Sequence, residues 1–396
     1  MNVPPNPPAI PFDVAVVGGG PAGCHATRRL AGEGWRVLLL EGQRFPRWKP
    51  CAGGLTAKIE PYLAPELTAL FEREIEGSHV TFGDDRDVHV RPGRRVGWMV
   101  HRERFDQVHF EAVAALPGVE ALDGCRVREV RQEGDGVLVE TARGAFRARA
   151  AVGADGVTGV TVRTVRPRMH RLLGVAYEGE LAVEDPGLTR DALFDLASFP
   201  GGYGWIFPKA GQYSIGGYVY GRKAPGLRDD YDRFRAGCRR LAGTRDLRTR
   251  GHGIPAGGTR DRLNTRSIVL AGDAADTVDP LTGEGIYFAF RTGHLAAAAV
   301  TAHLREGRPL DAYTAEVQRE IHADFRWGRR IARVVYRFPR AAYTAFFRNA
   351  LICRWTVEIL TGQRTYRRLL ADAGRNLHRL PGATLRGGRS REIAWS

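Results

Sequence analysis

Residues Asp13 to Gly23 read DVAVVGGGPAG, and the fold turns on how that stretch is understood. Val14 to Val17 form a short apolar run, the pattern of a strand buried on both faces. Gly18, Gly20 and Gly23 follow at G-x-G-x-x-G spacing, and Pro21 stands where a helix begins. The segment PAGCHATRRLAGEG, Pro21 to Gly34, has proline near its start and glycines at its end, as a helix should. RVLLLE, Arg36 to Glu41, is a second buried strand, closing on an acid 23 residues after Gly18. Together these make a βαβ unit of about 30 residues. The glycines permit a tight turn and close backbone approach to a pyrophosphate, which the helix N-terminus attracts. Glu41 can accept hydrogen bonds from a ribose hydroxyl. With strand, helix and terminal acid all in place, the motif predicts a dinucleotide site.

Composition bounds what surrounds this unit. The chain has 396 residues and is 43% hydrophobic, enough for two or three domains with a buried core. Its five cysteines, Cys24, Cys51, Cys125, Cys238 and Cys353, are scattered, with no CxxC pair and no Cys/His zinc spacing. Neither a disulfide framework nor a metal site is expected, and a reducing cytoplasm fits best. The proline-rich start MNVPPNPPAIPF lacks the apolar core of a signal peptide and reads as a short disordered arm. No uncharged apolar run reaches the roughly 18 residues of a membrane span. The net charge of +15 is uneven: Ile321 to Ser396 holds 16 Arg, no Lys and four acids. Four lysines against 55 arginines overall is a bias that base composition accounts for, but base composition does not remove acids from the tail. Such a tail fits an anionic surface.

Further along, a helix is expected near Thr56 to Leu70. CRVREVRQ, GVLVETA and AFRARAAVG alternate apolar and polar residues between EGDG and RG turns, an antiparallel meander. Strands dominate from about Arg166 to Arg260, RSIVLAGDAAD returns to the buried-strand pattern, and Gly283 to Leu304 reads as a helix. From Asp311 the periodicity is helical, with Ile331, Val334, Val335, Phe338, Ala342 and Phe346 on one face. The expected organisation is a mixed α/β chain. An arm (1–10) precedes a discontinuous Rossmann-like domain with a β-meander (11–75, 98–165 and 262–320). An antiparallel-sheet substrate domain (76–97 and 166–261) and a basic helical C-terminal region (321–396) complete it.

VLAGDAADTVDPLTGEGI places Asp273 at a strand end, ahead of a glycine loop and a helix. With GADG (Gly153 to Gly156) and HRERFD, it closely resembles flavoproteins of the p-hydroxybenzoate-hydroxylase fold, in family order and over nearly the whole chain to about residue 305. The resemblance implies FAD, held by Gly18, Gly20, Ala22, Gly23 and Glu41 at one end. It further implies contacts from Arg102, Val127, Asp155, Gly156, Asp273, Pro280, Gly283, Gly285 and Ile286. Two motifs point further. KPCAGGL resembles the KPCGGGL loop of geranylgeranyl reductases, with Ala52 replacing the first glycine, and PGGYGWIFP (Pro200 to Pro208) matches their PxxYxWxFP pattern. Members of that family use reduced FAD to saturate isoprenoid double bonds. The chain is therefore identified as a member of the geranylgeranyl reductase family acting on an isoprenoid or prenylated-lipid substrate.

In that family the cysteine loop lies at the flavin ring, facing substrate. Cys51 could shape or polarise the alkene site, the N–H groups beside Ala52, Gly53 and Gly54 could touch the flavin, or Cys51 could be a packing residue. No covalent role is read from it. Tyr203, Trp205 and Phe207 share a strand face by period two and could line an apolar tunnel; Cys51, Tyr203 and Trp205 are the candidate catalytic residues. No His or Glu in the motifs is an obvious general acid, so flavin or ordered water would supply the proton. No second dinucleotide fingerprint is present, so the electron donor would be NAD(P)H without its own Rossmann unit or a ferredoxin-type protein. The basic tail, with Arg326, Arg329, Arg330, Arg333 and Arg337 near apolar residues, could lie on the inner membrane face or pack as a helical cap. No basic-aromatic module for nucleic acid is seen. The alternatives on the same fold are an aromatic or polyketide monooxygenase and, more distantly, a halogenase, whose WxWxIP motif differs at Tyr203 and Phe207. A non-enzymatic flavin-binding or membrane-associated scaffold is a further alternative, against which the intact flavin-side motifs argue.

Overall fold

The structure is a computed structural model that describes residues 11–83, 87–167, 173–184, 190–221, 226–344, 349–375 and 390–395. The apolar run forms the strand Phe12–Val17, whose Val14, Ala15 and Val16 are wholly buried. It pairs in parallel with Val37–Leu40 on one side and Gly144–Gly153 on the other, and Val119–Leu122 extends the sheet beyond Val37–Leu40. The far edge of Gly144–Gly153 is shared. Its last residues pair in parallel with Ile268–Leu270, while its first residues turn back on Gly136–Thr141, which carries Val127–Glu133. One strand thus belongs to both the parallel sheet and the expected meander. Helices Pro21–Gly32 and Ile286–Glu306 cross closely because a Cβ at Gly293 would lie only 2.5 Å from the Ala22 carbonyl oxygen.

An eight-stranded sheet forms the second layer. Its order is Arg245–Pro255, Leu173–Ala182, Gln212–Val219, Gly202–Lys209, Asp191–Asp195, Gly77–Thr81, Asp87–Arg91 and Ser390–Ala394. Leu193, Ile206 and Ile215 bury against Tyr231 and Phe234 of the helix Leu227–Gly237 on one face. The opposite face, carrying Tyr203, Trp205 and Tyr218, is covered by the C-terminal helices. A small sheet of Gly54–Thr56, Gly97–Met99 and Arg73–Ile75 joins the two layers.

Four local expectations differ. The segment 56–70 is not one helix but a strand end, a 3-10 turn Ala57–Tyr62 and a single turn Pro65–Thr68, because Pro61 and Pro65 interrupt it. Leu227–Gly237 is a helix inside the strand-rich region, with Leu227, Tyr231 and Phe234 buried at helical spacing. The tail is helical over Ala323–Arg337, Ala350–Leu360 and Tyr366–Arg375, but Ser390–Ala394 returns as an edge strand parallel to Asp87–Arg91. Its apolar face also does not run on as one stripe. The helix stops at Arg337, before Pro339, whose ring pushes Phe338 out of the helical region. Val335 and Ala342 are buried, whereas Val334 and Phe338 are 52% and 56% exposed. Phe346 and Phe347 lie outside the described residues.

Candidate active site

The glycine turn is built as the motif requires. Gly18 has φ +110°, and a Cβ there would sit 2.2 Å from the Ala154 carbonyl oxygen; one at Gly23 would sit 1.8 Å from that of Gly18. Gly20 precedes the helix at Pro21, and a Cβ there would meet only the Arg47 guanidinium at 3.7 Å, so the space before the helix N-terminus is open to a phosphate. Glu41 accepts the Gly19 N–H at 3.0 Å and the Gln43 N–H at 2.9 Å, with Arg47 3.5 Å away. Each of its oxygens retains a lone pair for a ribose hydroxyl. Val127 is buried with Cys125 and Val130 beside this end of the sheet. These residues fit the adenosine diphosphate part of FAD.

Asp155 and Arg102 each have partners within the protein. The Asp155 carboxylate turns away to the hydroxyl and N–H of Thr161, so of the GADG turn it is the backbone, at Ala154, that packs against Gly18. Gly156, at φ +80°, has open space where a Cβ would be. Arg102 is 5% exposed and grips Asp106 through two bonds of 2.9 and 2.8 Å, while its guanidinium also reaches the Cys51 thiol. It lines the central cavity beside Cys51.

Asp273 follows the strand Ile268–Leu270 and stands 3.5 Å from Lys49. Burial pushes its carboxyl up, but Lys49, His252 and Arg102 outweigh burial and hold it below the usual carboxylate range. The loop that follows is fixed from within by Asp279, which accepts the N–H groups of Leu281 and Thr282 at 2.8 and 2.9 Å. The aromatic wall fastens it from outside. Tyr203 donates to the Thr282 carbonyl, Tyr218 to that of Pro280 and Tyr336 to that of Leu281. Tyr366 donates to both Asp279 oxygens, at 2.8 and 2.9 Å. Gly283, at φ +72°, leaves room for the Tyr203 hydroxyl, and Gly285 leads into the helix that starts at Ile286.

The cysteine loop closes the other side. Cys51 is partly buried, and its N–H donates to Glu178 Oε1 at 2.6 Å. Ala52 does not take a left-handed conformation, so its Cβ is unstrained; Gly53 takes that role with φ +77°. From this loop a chamber of about 560 Å³ runs beneath the eight-stranded sheet and out between the C-terminal helices. Tyr203, Trp205 and Phe207 all face it, and Trp205 donates to Ser214 Oγ at 3.2 Å. At its outer end stand Arg330, Val334 and Leu370.

Sequence reasoning passed over three polar residues that the structure brings to this chamber or its wall. The period-two face of Tyr203, Trp205 and Phe207 continues to Lys209, which is fully buried beside the loop with its ammonium nitrogen making no hydrogen bond. Glu178 lies on the cavity face of Leu173–Ala182, two residues after Ala176, and is 3% exposed. His252, its Nε2 also without a partner, faces the same space. For Glu178 the signal was a pair of acids, Glu178 and Glu180, on one face of the strand AYEGEL.

Residues 13–159 match the FAD dependent oxidoreductase family. The geranylgeranyl diphosphate reductase of Rhodobacter capsulatus is 33% identical over 313 residues, 76% of this chain and 78% of that protein. The menaquinone reductase of Mycobacterium tuberculosis is 32% identical over 322 residues, 72% of this chain and 75% of that protein. Among solved structures, a geranylgeranyl bacteriochlorophyll reductase-like protein of Thermoplasma acidophilum matches with a TM-score of 0.76 at 20% identity, covering 94% of this chain and 98% of that one. A flavin-dependent brominase matches at 0.70 with 17% identity, covering 92% and 99%, so fold alone leaves the chemistry open. The sequence relatives decide the family: with its flavin cradle, cysteine loop and aromatic wall, this chain belongs to the geranylgeranyl reductase family of FAD-dependent oxidoreductases.

Proposed function

We propose that the chain is an FAD-dependent reductase that saturates carbon–carbon double bonds of an isoprenoid chain, carried on a diphosphate or a prenylated lipid. The observation that carries this reading is the apolar chamber, which joins the cysteine loop at one end to the protein surface at the other. A long, flexible, apolar chain fits such a chamber, whose volume is typical of ligand sites. Bound FAD, once reduced by NAD(P)H or a ferredoxin-type donor, would supply hydride. The protein's own residues do the rest. Gly18, Gly20, Ala22, Gly23 and Glu41 would hold the adenosine diphosphate half, and Asp273, Pro280, Gly283, Gly285 and Ile286 the flavin half. Tyr203, Trp205 and Phe207 exclude water and shape the chain's path. Cys51, tied by its N–H to Glu178 and with Arg102 beside its thiol, sets the width beside the ring. Cys51→Ala should retain flavin and lose turnover; unchanged turnover would remove Cys51 from the chemistry.

The reading extends to a membrane face. Val334, Phe338 and Leu370 are exposed, Val334 and Leu370 at the rim of the chamber, and Arg330, Arg333 and Arg337 share the helix of Val334, Ala323–Arg337. Such a rim suits a cytoplasmic protein touching the anionic inner face of a membrane while it takes up a lipid. Among the described residues no helix is long and apolar enough to cross a membrane. Anaerobic, dithionite-reduced protein tests the substrate class. Geranylgeranyl diphosphate should restore the oxidised flavin spectrum, whereas a phenol should not. Flavin that stays reduced with every isoprenoid offered would overturn the reading.

A further inference from the structure

Saturating an unactivated alkene needs a proton as well as a hydride, and the chamber holds one group placed to give it. Glu178 lines the cavity on the sheet face that also carries Trp205. Its Oε1 accepts the Cys51 N–H at 2.6 Å, so the carboxyl lies against the loop expected beside the flavin ring. Gly216 lies between Glu178 and Trp205 in register across the sheet, and the indole ring covers that glycine, since a Cβ there would be 2.4 Å from it. Glu178 therefore touches the cysteine loop and adjoins the aromatic wall at once.

We propose that Glu178 is the general acid of the reduction, donating its carboxyl proton to one alkene carbon while hydride reaches the other. The inference rests on the alkene-reductase reading of the chamber. The step balances: the π bond is lost, two C–H bonds form, reduced flavin is oxidised by two electrons, and Glu178 is left as a carboxylate that solvent reprotonates between turnovers. Oε1 remains the acceptor for Cys51, leaving the other oxygen to carry the proton.

The surroundings bring that carboxyl's titration up to neutral pH, so that the acid form is still present there. Lys209 and Glu180 face Glu178 from the sheet, Arg102 from the helix after the loop, and Arg250 and His252 from the neighbouring strand, with Lys49 and Asp273 across the cavity. Burial raises the carboxyl and Glu180 adds to it, against Lys209, the Cys51 N–H and Arg102, leaving it at about 7. Burial pushes Lys209 the other way, down from its ordinary value. A general acid near the working pH is the efficient case.

Glu178→Gln keeps an acceptor for the Cys51 N–H and removes the acid. The variant should bind FAD and melt as the wild type does, yet saturate geranylgeranyl diphosphate roughly 10²-fold more slowly or worse. The wild-type rate should fall above about pH 7, and the variant should lack that limb. Infrared difference titration of the wild-type flavoprotein, which needs no turnover and no variant, should show a protonated carboxyl lost near pH 7. The same band should be missing from Glu178→Gln. Turnover of the variant within about threefold of wild type, or a wild type without the carboxyl band, would overturn the inference. A wild type that saturates no isoprenoid would instead overturn the reading beneath it.

Discussion

Gly53→Ala separates the geometry of the cysteine loop from its composition. A left-handed backbone costs an L-residue roughly 1–2 kcal/mol. The added Cβ would lie 2.2 Å from the Val100 carbonyl oxygen and 3.2 Å from Lys209 Nζ, so backbone must move. The hydrogen bond from the Val100 N–H to the Gly53 carbonyl, 2.9 Å long, lies at the same contact, and losing it costs about 1 kcal/mol. Together that is roughly 2–3 kcal/mol against the native loop, a shift of about 30- to 150-fold in its population. Gly54→Ala is the matched control, because its nearest neighbours would be Met99 Sδ at 3.9 Å and Phe207 at 4.0 Å, ordinary contacts. Flavin affinity by fluorescence quenching and melting temperature read the outcome. Gly53→Ala should weaken flavin binding and lower the melting point, while Gly54→Ala should stay within about 0.5 kcal/mol of wild type. Equal damage from both, or wild-type behaviour in Gly53→Ala, would refute the argument that this loop is held by one left-handed glycine.

Two further outcomes follow from buried groups. Tyr366→Phe strips a hydroxyl from Asp279, which is 2% exposed, and should cost about 1.5–3 kcal/mol; an unchanged denaturant midpoint would show that this bond does not fasten the C-terminal helices to the loop. Acid should destabilise the fold well above the carboxylate range. Burial pushes His25, His109 and His322 down to about 3, so the unfolded chain, with imidazoles near 6.5, binds protons that the folded one refuses. Stability contributed by these groups is therefore complete above about pH 6.5 and lost as pH falls toward 3, by about 2 kcal/mol per histidine at pH 5. Equal urea midpoints at pH 7 and pH 5 would contradict this.

The parts legible in the sequence are those where one residue type answers one local demand. G-x-G-x-x-G, a following helix and Glu41 fall within one short stretch of chain, and the structure builds the turn as read. The alternation of Tyr203, Trp205 and Phe207 predicts a shared face, and all three line the chamber. What stayed hidden depends on distant pairings. Glu178 acquires its meaning only when Leu173–Ala182 comes to lie over the cysteine loop 127 residues earlier. The edge strand Ser390–Ala394 depends on Asp87–Arg91, some 300 residues away, and no local pattern in a basic tail signals that.

The central claim is that the chamber presents an isoprenoid alkene to reduced flavin. Its most direct test is anaerobic incubation of the dithionite-reduced holoprotein with geranylgeranyl diphosphate, followed by mass spectrometry of the extracted lipid. The account predicts products heavier by two hydrogens for each bond reduced, formed without oxygen. Unchanged substrate across several isoprenoids, with rapid oxygen consumption when aromatic compounds and air are supplied instead, would contradict it and identify an oxygenase on the same fold.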